Sequence, residues 1–154
     1  MSNDSGDGEE LYEYREARRD IHIDKERREM FNSLQESQDS PFYQATNHDL
    51  FMFALGYGNA NTMPQEIKNE KAAFFGRTSL SEHQQAVIEA IAVAEERDVR
   101  VLRDQRKVYE IAEKYANAGI DLLHGRVFGP DDEPLRELAV ELNEEYESVI
   151  ESDQ

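Results

Sequence analysis

The chain has 154 residues, of which 34 are acidic and 17 are basic, and its formal net charge is -17. Its length and its 38% hydrophobic content fit one domain with one modest core, and no second core is expected. It contains no cysteine, which excludes disulfides, thiolate nucleophiles and cysteine metal ligands. No run approaches the roughly 20 apolar residues that span a bilayer, and the acidic start is unlike a signal peptide. We therefore expect a cytoplasmic protein with no membrane contact.

The acidity is concentrated at the two ends of the chain. Residues 1–10 carry four acids and no base, and residues 131–154 carry ten acids and one base. Residues 11–128 carry 20 acids and 16 bases, so the body of the protein is nearly balanced. A local basic patch on such a body can meet an anionic partner despite the net negative charge.

The first part of the chain predicts a tail, a charged helix and a short strand. Residues 1–8 are small and polar and are predicted to be disordered. Residues 9–19 have a thin apolar stripe that fits a charged helix. Residues 21–23 alternate apolar and polar side chains, which is typical of a very short strand.

Two helices are expected to follow this strand. Asp24 stands where a helix cap would, ahead of the apolar residues Phe31 and Leu34. A second helix is predicted from about residue 47 to residue 55, where a turn or left-handed cap at residues 56–59 should end it.

The next region is predicted to be a loop over residues 60–78, followed by a helix. Residues 79–82, Ser-Leu-Ser-Glu, have the spacing of a capping box, and apolar residues follow at helical spacing. The apolar residues that mark this helix after the capping box are Val87, Ile88 and Ile91. Further along, residues 98–102 contain Val99 and Val101 in alternation, which predicts a short extended connection.

The last part of the chain predicts two amphipathic helices. Asp104 should cap the first, whose apolar stripe of Val108, Ile111, Ala112 and Tyr115 stops at Gly119, where a positive φ is expected. This stripe should share one core with Ile88 and Ile91. The second helix, over residues 134–151, has acids on one side and an apolar face that must be covered by the body or by another chain. That face consists of Leu135, Leu138, Ala139, Leu142, Tyr146, Val149 and Ile150.

The templates of common catalytic and cofactor sites are not matched. No pair of histidines has metal-ligand spacing, and the pair Asp121 and His124 would need a second copy to build a di-iron site. Residues 56–61 lack the third glycine of a dinucleotide fingerprint. There is no P-loop and no nucleophile elbow. We expect no metal, no cofactor and no enzymatic activity.

Two basic clusters are candidates for contact with an anion or a partner. Residues 15–28 have a net charge of +2 and residues 97–107 a net charge of +3. Clustered guanidinium groups can contact phosphates, but they can equally pair with the protein's own acids. Strand, helix, helix is also the order of half a ribbon-helix-helix DNA-binding motif. The candidate contacts are Arg15, Arg18, Arg19, Arg27 and Arg28 in the first cluster, and Arg97, Arg100, Arg103 and Lys107 in the second.

The body of the chain resembles a known family. Phe-Ala-Leu-Gly-Tyr at residues 53–57 and Tyr-Ala-Asn-Ala-Gly at residues 115–119, with segments at 41–42, 90–95 and 101–102, look like the small Dnd-system-associated proteins. These proteins are encoded near genes for DNA phosphorothioation, in which sulfur replaces a non-bridging phosphate oxygen. The resemblance covers residues 21–123 and carries no catalytic residue. Its motif residues, to which we assign a structural role, are Phe53, Gly56, Tyr57, Tyr115, Asn117 and Gly119.

The sequence therefore predicts a mainly α-helical single domain over residues 9–128. This domain could also contain one or two very short strands, with an N-terminal part that is similar to a ribbon-helix-helix motif. The acidic amphipathic helix in residues 129–154 is expected to dock on this domain. With the resemblance, these features favour a non-enzymatic adaptor in a DNA modification or defence system, with a protein partner or a second copy. The alternative is a DNA-binding regulator that uses the two basic clusters.

Overall fold

The computed structural model describes residues 12–129 and confirms a mainly helical single domain. This part of the chain holds four α-helices, three short 3-10 helices and one antiparallel pair of strands. The expected disorder of residues 1–8 and the expected helix over residues 134–151 lie outside the described residues. In chain order the elements are β1 (Asp20–Asp24), α1 (Arg28–Glu36), α2 (Asn47–Asn61), β2 (Lys71–Gly76), α3 (Glu82–Glu96) and α4 (Gln105–Phe128), with 3-10 helices at Lys25–Arg27, Arg77–Ser79 and Val99–Arg103.

The long helix α4 is the centre of the fold. Its 24 residues are buried on most sides, because α2, α3, α1 and β1 all pack against it. The expected stripe is confirmed as part of one hydrophobic core with Ile88, and Ile91 packs against that core half-buried. The buried members of the stripe are Val108, Ile111, Ala112 and Tyr115.

Side chains at the helix starts explain where the helices begin. Asp24 accepts a hydrogen bond from the backbone N–H of Glu26, and Asp104 accepts one from Lys107, so both predicted caps are confirmed. The capping box was placed two residues too early. Ser81 and Gln84 form it at the start of α3, because Ser79 belongs to a 3-10 helix and Leu80 is buried ahead of the cap.

Two segments differ in conformation from the prediction. Residues 12–19 are extended and not helical. The backbone N–H of Arg15 donates to the carbonyl of Arg103, and the N–H of Gln105 donates to the carbonyl of Arg15, so this segment pairs with residues 103–105 instead of forming its own helical hydrogen bonds. Residues 99–103 form a 3-10 helix and not an extended connection, since the Asp98 carboxylate holds the N–H of Arg100 and starts a tight turn.

The strand β2 lies within the region that was predicted to be a loop. It pairs antiparallel with β1, with a bulge between Ile21 and His22. Phe74 of β2 is buried, and its ring lies 4.7 Å from that of Phe31. Because β1 pairs with a strand of its own chain, it differs from the intermolecular ribbon of a ribbon-helix-helix dimer.

The predicted helix ends at glycine were wrong. Helix α2 runs through Gly56 and Gly58 to Asn61, and α4 runs through Gly119 to Phe128. No glycine among residues 12–129 has a positive φ. The glycines serve close packing instead. A Cβ at Gly119 would overlap the carbonyl oxygen of Ala54 and lie 2.9 Å from the backbone nitrogen of Gly58.

Candidate functional site

Two arginines of the first basic cluster are held by carboxylates of the protein. Arg15 forms an ion pair with Asp104 at 2.6 Å. Arg27 bridges Asp24 at 2.7 Å and Asp121 at 2.9 Å. Burial alone would raise the pKa of Asp104, but the hydrogen bond from Arg15 lowers it below its usual value. An anion that used these two arginines would have to displace internal carboxylates.

The second basic cluster is also largely engaged. Arg100 pairs with Asp98 at 2.7 Å, and Lys107 pairs with Glu96 at 3.0 Å. The guanidinium carbon of Arg103 lies 5.5 Å from the centre of the exposed Tyr14 ring. These pairs agree with the interpretation that basic residues neutralise nearby acids of the same chain.

The fold nevertheless brings the two clusters side by side. The extended segment that contains Arg15 lies along residues 103–105, and Arg18 further along it lines a small cavity with Arg106 at the start of α4. The side chains of Arg18 and Arg19 are exposed. Arg77 joins them, because its backbone N–H donates to the carbonyl of Arg19 at 2.9 Å and its Nε donates to the carbonyl of Arg18 at 3.2 Å. We call Arg18, Arg19 and Arg77 the arginine surface.

The remaining candidates lie apart from the arginine surface. Arg28 donates to the carbonyl of Ala73 at 3.1 Å, and its guanidinium lies over the Phe74 ring. Arg97 is exposed and ends α3 with a left-handed φ of 55°. Sequence reasoning missed Arg77, because it is an isolated base in a stretch without a cluster.

The two family blocks meet where α2 crosses α4. A Cβ at Gly58 would overlap the carbonyl oxygen of Tyr115, so the backbones of the two helices are in direct contact. The Tyr115 hydroxyl donates to the Glu95 carboxylate, and burial together with this bond raises the pKa of Tyr115 to about 12. Asn117 donates from Nδ2 to the carbonyls of residues 65 and 66, which fixes the chain that leaves α2. The second block therefore makes contacts that hold α4 to α2, to α3 and to the chain that follows α2.

The outer face of the first block forms an aromatic groove of about 350 Å³. Phe53 stacks on Tyr57 with ring centres 6.2 Å apart, and the Tyr57 hydroxyl accepts a hydrogen bond of 2.8 Å from Arg126. A Cβ at Gly56 would meet nothing within 4 Å, so this glycine leaves the groove open. We define the aromatic groove by its lining residues, Met52, Phe53, Gly56, Tyr57 and Ala60.

A buried carboxyl group that the sequence analysis did not identify lies beneath β1. Glu113 is 5% exposed, and it accepts a hydrogen bond of 2.8 Å from the backbone N–H of His22. Burial raises its pKa to about 7, although the His22 bond and the Lys71 ammonium 4.0 Å away act in the opposite direction. The sequence did contain a signal for this burial, because Glu113 lies between Tyr109 and Ala116 on the face of α4 that is buried. The adjoining cavity, of about 10 Å³, holds no more than one water.

The described part of the chain contains no group of three or more histidine, aspartate or glutamate side chains that could hold a metal ion. Within residues 12–129, no helix combines the length and the apolar character that crossing a membrane requires.

Comparison with known proteins identifies one family. The family model described as DNA sulphur modification system-associated protein 4 matches residues 20–154. The match begins at β1 and includes the acidic C-terminal segment, so it extends beyond the resemblance noted over residues 21–123. No curated protein and no solved structure shows a significant match to the chain.

Proposed function

The chain belongs to the DNA sulphur modification system-associated protein 4 family, and on that premise we propose a non-enzymatic adaptor that binds a protein of the same modification system. The aromatic groove carries this proposal. We expect the protein to act in the cytoplasm, where its partners handle DNA.

The aromatic groove has the chemistry of a protein-binding surface. Phe53 and Tyr57 are half-buried, so they are fixed by the fold and still present area to a partner. Aromatic side chains of this kind dominate the binding energy of many interfaces, because they bury a large rigid surface at little entropic cost. The crossing of α2 and α4 beneath the groove makes its floor rigid, which lowers the ordering cost of association.

A matched pair of substitutions tests the adaptor role. Ala60→Arg places a long charged side chain in the aromatic groove, whereas Ala90→Arg makes the same change at an exposed alanine of α3. Each full-length variant would be titrated calorimetrically with the other proteins of the modification system. We expect Ala60→Arg to weaken binding about tenfold or more, a loss of roughly 1.4 kcal/mol, with Ala90→Arg unchanged. Equal affinities for both variants would refute the proposal.

A DNA-binding regulator is the second candidate, and the convergence of Arg18, Arg19 and Arg77 favours it. The exposed guanidinium groups of Arg18 and Arg19 could contact successive phosphates, and the half-buried guanidinium of Arg77 lies beside them, over the Tyr109 ring. Electrophoretic shifts measured over a salt series give the test. Double substitution of Arg18 and Arg19 by alanine should lower the salt slope by about one for each phosphate contact that is lost. An unchanged slope would rule out the arginine surface.

A further inference from the structure

We propose that the extended segment 12–19 and the start of α4 form a binding site for single-stranded DNA, in which a base stacks on Tyr14 and neighbouring phosphates contact the arginine surface. The phosphate contacts rest on the second candidate function, and the stacking of a base goes beyond it. The site lies away from the aromatic groove, because Lys107 and Arg126 are 19 residues apart on α4, which is roughly 28 Å. A protein partner and a DNA strand would thus occupy different ends of this helix.

The side chain of Tyr14 presents an open aromatic face. It is the most exposed large apolar side chain among residues 12–129, at 81%. The guanidinium carbon of Arg103 lies 5.5 Å from the centre of its ring, so one face of the ring carries a cation. The exposed fraction leaves the opposite face open to solvent. Such a face beside a cation suits an unpaired base, since every base has a π-face that stacks on an aromatic ring.

The backbone next to Tyr14 is held in place. The N–H of Arg15 donates to the carbonyl of Arg103 at 3.3 Å, and the N–H of Gln105 donates to the carbonyl of Arg15 at 2.9 Å. The Arg15 guanidinium also donates to both carboxylate oxygens of Asp104, which caps α4. The Tyr14 ring therefore projects from a fixed segment, and the stacking of a base requires little additional ordering of the protein.

The surface around Tyr14 is positive, although the chain as a whole has a net charge of -17. Residues 12–19 have a net charge of +1, residues 97–107 have a net charge of +3, and Arg77 adds a further base beside them. These values already include every acid in the two segments. A phosphate backbone is consequently attracted to this face more than to the rest of the chain.

The arginine surface is not neutralised by close acids. Within residues 12–129, none of Arg18, Arg19 and Arg77 forms an ion pair with a carboxylate, whereas Arg15 and Arg100 do. A phosphate that binds at the arginine surface therefore displaces no internal carboxylate, and its counterions are released without a compensating loss inside the protein.

The spacing along the segment fits a short single strand. Tyr14 and Arg18 are four residues apart in the extended segment, so their backbones are at most about 14 Å apart. Stacked nucleotides advance about 3.4 Å each, so this distance corresponds to about four nucleotides, the lower end of known single-strand sites. Glu16 lies between the two residues and opposes a phosphate there. The bases of a duplex are already stacked on each other, so stacking on Tyr14 selects a single strand.

Fluorescence anisotropy of the full-length chain with a labelled oligothymidylate of about ten nucleotides, at about 50 mM salt, tests the proposal. An oligomer of abasic sites of the same length has the same phosphates and no bases, so it separates stacking from charge. Tyr14→Ala removes the ring, Tyr14→Phe keeps a ring, and Tyr43→Ala is the control at another exposed tyrosine. Glu16→Gln removes the opposing charge. Circular dichroism verifies that each variant is folded.

We expect the natural protein to bind the oligothymidylate and Tyr14→Ala to weaken this binding about tenfold. Tyr14→Phe and Tyr43→Ala should bind within about twofold of the natural protein, because both keep an aromatic ring at position 14. The abasic oligomer should bind equally to the natural protein and to Tyr14→Ala. Glu16→Gln should tighten binding of the oligothymidylate by about two- to fivefold, since a like charge near the phosphates is removed.

Four results would overturn the proposal. They are the absence of oligothymidylate binding, equal effects of Tyr14→Ala and Tyr43→Ala, a loss from Tyr14→Ala that is as large with the abasic oligomer, and an unchanged affinity of Glu16→Gln. A preference for an oligouridylate of the same length would assign the site to RNA and overturn it as well. Duplex binding that is indifferent to Tyr14 would leave the second candidate function standing without this one. The adaptor test at the aromatic groove is independent of all these results.

Discussion

The buried carboxyl group of Glu113 should make the stability of the protein fall as pH rises from about 4.5 to about 7. Burial beneath β1 raises its pKa from 4.5 to about 7 in the folded state, whereas the unfolded chain retains the ordinary value. The folded protein therefore holds this proton more tightly. The stabilisation that protonated Glu113 contributes is fully present below pH 4.5 and is lost as pH rises through 7.

The size of the effect follows from the pKa difference. At roughly 1.4 kcal/mol for each tenfold change in proton affinity, the contribution amounts to about 3 kcal/mol. The groups that face this carboxyl group are His22 and Lys71 from the two strands, Arg18 from the extended segment and Glu110 from its own helix. Glu113→Gln keeps an oxygen for the His22 N–H and removes the titration.

Urea unfolding followed by circular dichroism, repeated between about pH 5 and about pH 8, measures the difference. The free energy of unfolding of Glu113→Gln, minus that of the natural protein, should grow more positive by about 2 to 3 kcal/mol across this range. The same change at the exposed Glu29 is the control and should give a constant difference. A constant difference for Glu113→Gln as well would refute the assignment of a buried, protonated carboxyl group.

Four further substitutions test the packing and the capping of α4. Gly119→Ala should destabilise the fold by about 1 to 3 kcal/mol or more in thermal unfolding, because its Cβ overlaps the backbone of α2. Gly125→Ala in the same helix meets open space and should stabilise by up to about 1 kcal/mol, so equal effects would contradict the helix crossing. Ile111→Ala should cost roughly 2 to 5 kcal/mol in urea unfolding, and an unchanged midpoint would show that this side chain is not in the core. Asp104→Ala removes the cap of α4 and the partner of Arg15, and a loss of about 1 to 3 kcal/mol is expected, whereas no loss would argue against both contacts.

The sequence predicted the elements whose signals are local. Caps such as Asp24 and Asp104 act within a few residues, and the stripe from Val108 to Tyr115 follows from helical period alone. The same local rules failed at Gly58 and Gly119. A glycine that ends a helix and a glycine that admits another helix have the same appearance in a single sequence, and only the pairing of α2 with α4 separates them.

Features that depend on distant contacts were not predicted. The strand β2 needs β1, which lies some fifty residues away, and its own pattern alternates poorly. The pairs Arg15 with Asp104 and Arg27 with Asp121 span 89 and 94 positions. The basic clusters could therefore be found from the sequence, but whether their charges face solvent or internal carboxylates could not. Arg77 belongs to the arginine surface only because the fold brings it next to Arg18 and Arg19.

The small sheet offers little for strand addition. The outward N–H of His22 on β1 is taken by the Glu113 carboxylate, and the carbonyls of Ala73 and Phe74 on β2 accept hydrogen bonds from Arg28 and Asn47. An extended peptide or another copy of the sheet that paired with these three backbone groups would first have to break the side-chain bonds that occupy them. Recognition at this sheet would therefore depend on side chains, and so on the sequence of a partner, and not on the generic backbone pattern that all polypeptides share.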